Sequence, residues 1–281
     1  MRRSIALVAG VAVVLACAPA AFAQSGGGGA SPPGPGDPCP AVYPGSGAAK
    51  NVLAQWMARA AVLRDVPEQL PVMAALAESG LRNLHQKGNP FAGFFSMHRS
   101  LDKAPYKGFR KQPDLQLRWF LDTAVLVRQR KLAEGHEDYG VDPTSYGLWI
   151  ADVERPAPQN RKGYQPYLDD SQDLLGTDSS CRPSSFEPDE QAPALNVAAA
   201  GRQRDLIAIK ARCPREACLV GARAEPARRV RAAAAVESAG DAVTLTLPAR
   251  ARRSTRLIVT VTAVDEAGNA TRKRRRITLL R

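Results

Sequence analysis

Glu78 is the residue in this sequence best placed for acid–base chemistry. It stands in the run Ala74-Ala75-Leu76-Ala77-Glu78-Ser79-Gly80-Leu81-Arg82-Asn83-Leu84. At roughly 100° per residue, Leu70, Met73, Ala74, Ala77, Leu81 and Leu84 share one helical face, and Glu78 falls at its edge. Beside an apolar stripe a carboxylate loses hydration, which favours its neutral acid form. An acid held neutral near physiological pH is what glycoside cleavage needs to protonate a leaving oxygen. The competing reading is a helix-flank Glu turned to water, the commoner fate of this residue type.

The elements that must hold Glu78 are helices. Val52, Leu53, Trp56, Met57, Ala60 and Leu63 repeat at helical spacing between Lys50 and Arg64. Asp65 is then placed to cap the helix carrying Glu78, with Pro67 in its first turn and Glu68 nearby. A long irregular stretch, residues 85–112, follows; it contains the apolar island Phe91-Ala92-Gly93-Phe94-Phe95-Ser96-Met97. Loops of that length in a compact domain are usually functional. A third helix is expected over Leu115–Leu132, with Leu115, Trp119, Val125 and Leu126 buried and Gly135 ending it. A fourth spans Pro143–Arg155, starting near Asp142, and a fifth spans Tyr164–Leu175.

After Glu187 the hydrophobic period shortens to two. Strands are expected at Leu195–Ala199, Asp205–Ala211, Leu219–Arg223, Arg231–Val236, Ala242–Pro248 and Leu257–Ala263, with a last one ending at Leu280. Asp265-Glu266-Ala267-Gly268-Asn269 is the turn between the final two. Short strands at this spacing suggest a small antiparallel sandwich. The fold class is therefore α+β and multidomain: an all-α domain over 49–182, a linker over 183–192 and a β-sandwich over 193–281.

The N-terminus reads as an export signal. Arg2 and Arg3 precede an apolar run from Ile5 to Cys17, and Ala21-Phe22-Ala23 offers a cleavage site, so 1–23 is a signal peptide. A rival reading takes Val14-Leu15-Ala16-Cys17 as a lipoprotein box. The apolar run is too short to leave a transmembrane helix in the mature chain. Residues 24–48, rich in Gly and Pro, form a disordered linker. Cleavage after Ala23 leaves Cys39, Cys181, Cys213 and Cys218, and an oxidising compartment makes disulfides the default. Of three connectivities, Cys39–Cys181 with Cys213–Cys218 is favoured, because the second pair is close in sequence and the first ties the start of a domain to its end. His85, His98 and His136 lack ligand spacing with one another or with the cysteines, so no metal or other cofactor is expected.

Charge divides the chain. Residues 24–191 sum to −2, residues 192–281 to +12. In an exported chain a basic module suits anionic wall polymers or lipid headgroups and makes nucleic acid a poor partner. The run Arg272-Lys273-Arg274-Arg275-Arg276 is its densest part, and it serves equally as a solvated edge that resists aggregation.

Glu78-Ser79-Gly80, followed by Gly93-Phe94-Phe95-Ser96-Met97 and then by Leu148-Trp149-Ile150-Ala151-Asp152-Val153-Glu154-Arg155-Pro156 with Tyr164 beyond, resembles the lysozyme-like soluble lytic transglycosylase family. The likeness covers roughly residues 50–176. It implies a lysozyme-like helical domain acting on the glycan strands of peptidoglycan. Glu78 would be the single acid/base and Ser79 a hydrogen-bonding partner of substrate or carboxyl. Gly93, Phe94, Phe95, Ser96 and Met97 would form the saccharide groove, with Glu154 and Tyr164 as further substrate contacts. No second catalytic carboxylate is identified, although Asp102, Asp114 and Asp152 are open alternatives. The substrate's acetamido group would then replace a protein nucleophile. Two positions depart from the family: Ser96 stands where Gln is usual, and Glu154 where Gln or Asn is common. They leave open a non-catalytic wall-binding protein with a degenerate groove. Val264-Asp265-Glu266-Ala267-Gly268-Asn269 resembles a turn of bacterial Ig-like modules.

Overall fold

The structure is a computed structural model that describes residues 39–279, apart from 86, 177–180, 199–201, 204–205, 226–230, 237–238 and 249–254. The expected signal peptide and residues 24–38 of the expected linker lie outside the described residues. The chain mixes helices with antiparallel sheets.

Five helices build the first part: α1 (Lys50–Val62), α2 (Gln69–Ser79), α3 (Pro113–Ala133), α4 (Tyr146–Glu154) and α5 (Leu168–Leu175). Between α2 and α3 lies a two-stranded hairpin, β1 (Phe91–Ala92) with β2 (Met97–His98). Helix α2 is central. Leu70, Val72, Met73, Ala74 and Ala75 are fully buried, so apolar contacts enclose most of its circumference rather than one stripe. Burying Leu70, Val72 and Met73 contributes roughly 1.5–3 kcal/mol each, and each alanine methyl less. Trp149, Phe94, Phe95, Phe109 and Phe120 complete the same core, with Phe95 stacked on Phe120 at 4.7 Å between ring centroids.

Two expectations for this part need correction. Asp65 does not cap α2: its φ is +52°, and the helix starts at Gln69 after a turn. Glu68 occupies the cap position, but its carboxylate instead accepts a hydrogen bond from the Cys181 N–H at 3.0 Å. On α3 the buried face is Gln116, Leu117, Phe120, Leu121, Ala124, Val127 and Arg128, whereas Leu126 is exposed and Leu115, Trp119 and Val125 are only partly buried. The helix has a second buried side because it also packs on a sheet.

That sheet belongs to the strand-rich part: β3 (Asn196–Ala198), β4 (Arg202–Gln203), β5 (Leu206–Arg212), β6 (Cys218–Glu225), β7 (Arg231–Val236), β8 (Ala242–Pro248), β9 (Thr255–Val264) and β10 (Ala270–Leu279). One sheet runs β10-β9-β6-β7; in the other, β5 pairs with β8 on one side and with β3 and β4 on the other. Ile207, Ile209, Leu245 and Leu247 of one sheet share a core with Val220, Ala222, Val259 and Val261 of the other. Strand alternation sends the intervening residues Leu219, Gly221, Thr260, Thr262 and Val264 to the opposite face. That face is also covered. Leu219 and Val264 pack with Leu132 and Ala133 of α3. At Gly221 an added Cβ would lie 2.2 Å from the Ala133 carbonyl oxygen, so only glycine permits this approach.

The junction has polar ties. Buried Arg128 donates from Nη1 to the Asp65 carbonyl and from Nη2 to the Glu266 carbonyl at 2.7 Å. Arg272 pairs with Glu137 at 3.4 Å. Both expected disulfides are formed, Cys39–Cys181 across 142 residues and Cys213–Cys218 across 5.

Candidate active site

Glu78 occupies the last turn of α2, half-buried, just before the helix ends at Gly80 in a left-handed conformation (φ +64°). The stop is set by sequence. Gly80 adopts that φ without a side-chain clash, and its N–H and that of Leu81 close onto the Leu76 and Ala75 carbonyls. Glu78 is thereby fixed at a helix terminus.

Two residues far along the chain converge on it. The Tyr164 hydroxyl donates to Glu78 Oε1 at 2.7 Å, bridging 86 positions. Tyr164 is 4% exposed. Burial, then the hydrogen bond to and the charge of Glu78, push its phenol well above the ordinary tyrosine value, so Tyr164 remains a neutral donor. Glu154, at the end of α4, is the second. Its Oε1 is enclosed and has no hydrogen-bond partner among the described residues. Burial, and after it the negative charge of Glu78, raise the Glu154 carboxyl well above the usual carboxylate range. The second carboxyl beside Glu78 is thus Glu154, two positions from the Asp152 considered as an alternative.

The other three aspartates are engaged elsewhere or lie on the surface. Asp152 pairs with Lys131 at 2.9 Å and Arg161 at 2.6 Å and accepts from the Tyr139 hydroxyl at 2.9 Å. Burial alone would raise its pKa, but these bonds outweigh it and hold the carboxyl below its ordinary value. Asp102 accepts from the Gly108 N–H at 2.6 Å in an exposed loop, and Asp114 lies exposed in the first turn of α3.

The hairpin lies against the same helix end. Ser96, half-buried with φ +45°, donates its hydroxyl to the Glu78 carbonyl at 3.2 Å. Gly93 has φ +85°, and its N–H donates to the Leu84 carbonyl at 2.9 Å. Phe94, Phe95 and Met97 are each 1% exposed or less, so their side chains belong to the core behind the hairpin. Met97 is therefore corrected from a groove contact to a packing residue. Ser79 is buried too: its hydroxyl donates to the Ala75 carbonyl at 2.9 Å and accepts from the Arg82 N–H at 3.2 Å. Both bonds cap the helix end, which corrects its reading as a substrate partner.

The sequence reading missed Gln116. It is fully buried on α3, with Oε1 accepting from the Phe94 N–H at 3.0 Å and Nε2 donating to the Phe109 carbonyl at 2.9 Å and to Asn83 Oδ1 at 3.2 Å. One amide thus holds the hairpin, the α2–β1 loop and the turn before α3 in register. A polar residue one position from the apolar Leu117 gave no periodic signal of burial. Gly93 was its trace: a Cβ there would lie 2.5 Å from the Gln116 amide.

The basic run lies on β10, which among the described residues is an edge strand paired with β9. Arg272, Arg274, Arg275 and Arg276 are exposed there, and Lys273 is partly so.

No family model matches this chain. No curated protein matches it either. Among solved structures, it is similar to the crystal structure of wild-type OgpA from Akkermansia muciniphila at 10% identity and a TM-score of 0.27, over 54% of this chain. The match spans 55% of that protein's chain.

Proposed function

We propose that this chain is an exported enzyme that cleaves the glycan strand of peptidoglycan, with Glu78 as its single general acid/base. The observation that carries the reading is the convergence on Glu78: a neutral phenol bound to one carboxyl oxygen, and a second, enclosed carboxyl that feels its charge. With Oε1 engaged by Tyr164, Oε2 is the oxygen left to face a substrate. Glu78 gives a proton to the glycosidic oxygen, which departs as an alcohol. The acetamido oxygen of the substrate closes on the anomeric carbon in its place. Glu78, now anionic, takes the proton of the 6-hydroxyl as that oxygen attacks the anomeric carbon and displaces the acetamido oxygen, and an anhydro sugar forms. With water in place of the 6-hydroxyl, the same residues give hydrolysis. Burial and the charge of Glu78 raise the Glu154 carboxyl, which opposes a second negative charge in the site once Glu78 has given up its proton.

In this reading the helical part is a lysozyme-like domain, and the two sheets form an Ig-like sandwich whose basic edge, Arg272–Arg276, meets anionic wall polymers. Two disulfides support residence outside the cytoplasm, secreted or at the envelope. Among the described residues no helix is long and apolar enough to cross a membrane.

A second reading is a non-catalytic wall-binding protein. It is favoured by Ser96, shorter than the Gln usual there, whose hydroxyl is bound to the Glu78 carbonyl. A zymogram on purified sacculi separates the two. The enzyme reading expects clearing by the native chain and a loss of at least about 100-fold in Glu78→Gln. Binding without clearing by the native chain decides for the second reading. Mass spectrometry of released fragments distinguishes an anhydro end from a reducing one.

A further inference from the structure

A second charged cluster lies far from Glu78 in the sequence, where the linker meets the sheets. Asp189 of the linker, Glu216 of the Cys213–Cys218 loop and Asp265 of the β9–β10 turn each offer a carboxylate oxygen, and these oxygens all lie within 4.8 Å of one another. Three like charges so close oppose each other. Burial, then the charge of Asp265 and of Asp189, raises the Glu216 carboxyl; burial and Asp189 raise Asp265 against the hydrogen bonds it accepts from Asn269.

Asp265 supplies the second observation. It is 3% exposed. Its Oδ1 accepts from the Asn269 N–H at 2.9 Å, whereas Oδ2 is enclosed and has no hydrogen-bond partner among the described residues. A buried carboxylate oxygen without a donor is costly unless a cation faces it. Arg128 and Asp265 attract each other electrostatically, but among the described residues no hydrogen bond joins them, since both Nη atoms of Arg128 donate to the Asp65 and Glu266 carbonyls and its Nε is unpartnered.

We propose that Asp189, Glu216 and Asp265 bind a divalent cation of the calcium class. The ligands are oxygens only, which suits a hard ion and disfavours zinc or copper. Calcium–oxygen distances of about 2.3–2.6 Å place opposite ligands about 4.6–5.2 Å apart, and the spread of the three carboxylates fits inside that shell. Three loops of different origin can give with the ion and water completes the shell, which suits the flexible six- to eight-fold coordination of calcium better than the near-ideal octahedron that magnesium demands. The Asp189 carbonyl already accepts from Asn269 Nδ2 at 2.7 Å, so linker and turn are in contact before any ion arrives. The ion would join the linker and the disulfide loop to the turn that Arg128 ties to α3. It makes no contact with Glu78, so the proposal stands or falls independently of the enzymatic reading.

The test is calorimetric titration of calcium chloride into the full mature chain after chelator treatment and desalting. One saturable site is expected, with a Kd of about 0.1–1 mM, typical of extracellular modules. Glu216→Gln at a partly exposed position and Asp189→Asn at an exposed one should each weaken binding at least about tenfold, with a melting temperature in chelator no lower than that of the native chain, since each removes one of three opposing charges. At calcium near ten times Kd, the native chain should melt a few degrees higher and the two variants should show less than half that rise. No saturable heat, native-like heat in both variants, or magnesium binding as tight as calcium would each overturn the proposal.

Discussion

The Tyr164 hydroxyl lies 2.7 Å from Glu78 Oε1 and makes one residue of α2 depend on the segment between α4 and α5. Tyr164→Phe keeps the ring in its packed position and removes only the donor. A hydrogen bond to an ionised group is worth about 1.5–3 kcal/mol. The variant should therefore clear sacculi about 10–100-fold more slowly and shift the pH–rate profile, because the proton-carrying group has lost its orienting partner. Initial clearing rates across pH check this. A profile of unchanged shape and height would remove Tyr164 from the site.

Glu154 predicts how stability depends on pH. Its folded-state pKa is raised by burial and by Glu78, so the folded chain holds this proton more tightly than the unfolded chain does. The corresponding stability is fully present below the unfolded value of about 4.3 and is lost as pH rises through the raised folded value. Glu154→Gln keeps the shape without the charge. Relative to the native chain the variant should gain stability, and with it melting temperature, as pH rises from about 4 to 8. Denaturant unfolding at several pH values measures the difference. A difference constant with pH would show that Glu154 carries no elevated proton affinity.

Gly93→Ala tests the cradle around Gln116. The new Cβ would lie 2.5 Å from a buried amide already bound on both ends, on a backbone with φ +85°. Left-handed strain of about 1–3 kcal/mol adds to overpacking of similar size. Thermal unfolding should occur about 5–10 °C lower. A change within about 1 °C would mean that the hairpin is not held by Gln116.

Much of the fold was legible in periodicity. Helices α1, α3 and α5, and the strands Arg231–Val236 and Ala242–Pro248, lie where their spacing places them. What failed depended on contacts between distant segments. Leu126 was read as buried because the α3 pattern was fitted to a single face, whereas the helix is covered on two and Leu126 points between them to solvent. The second face comes from β6. In Leu219-Val220-Gly221-Ala222 both alternating sets are small or apolar, which marks a strand buried on both sides but names no partner. Asp65 had the chemistry of a cap, but its carbonyl is held by Arg128 in a turn with positive φ. At the site, Glu78 was legible from its helix. Its partner Glu154 was noted only as a contact, because no local pattern states that the ends of α2 and α4 meet. Gln116 was invisible, since a buried amide is satisfied by backbone groups that the sequence does not label.

The absence of any side chain at Gly221 has a reach beyond packing. With Ala133 seated against the strand and Arg128 tied across the junction, the arginine-bearing edge and the helix-end carboxyl share one frame. Under the proposed function, an anionic polymer gripped at that edge would hold the cutting end at a set bearing to the wall, as on a caliper rather than on a leash.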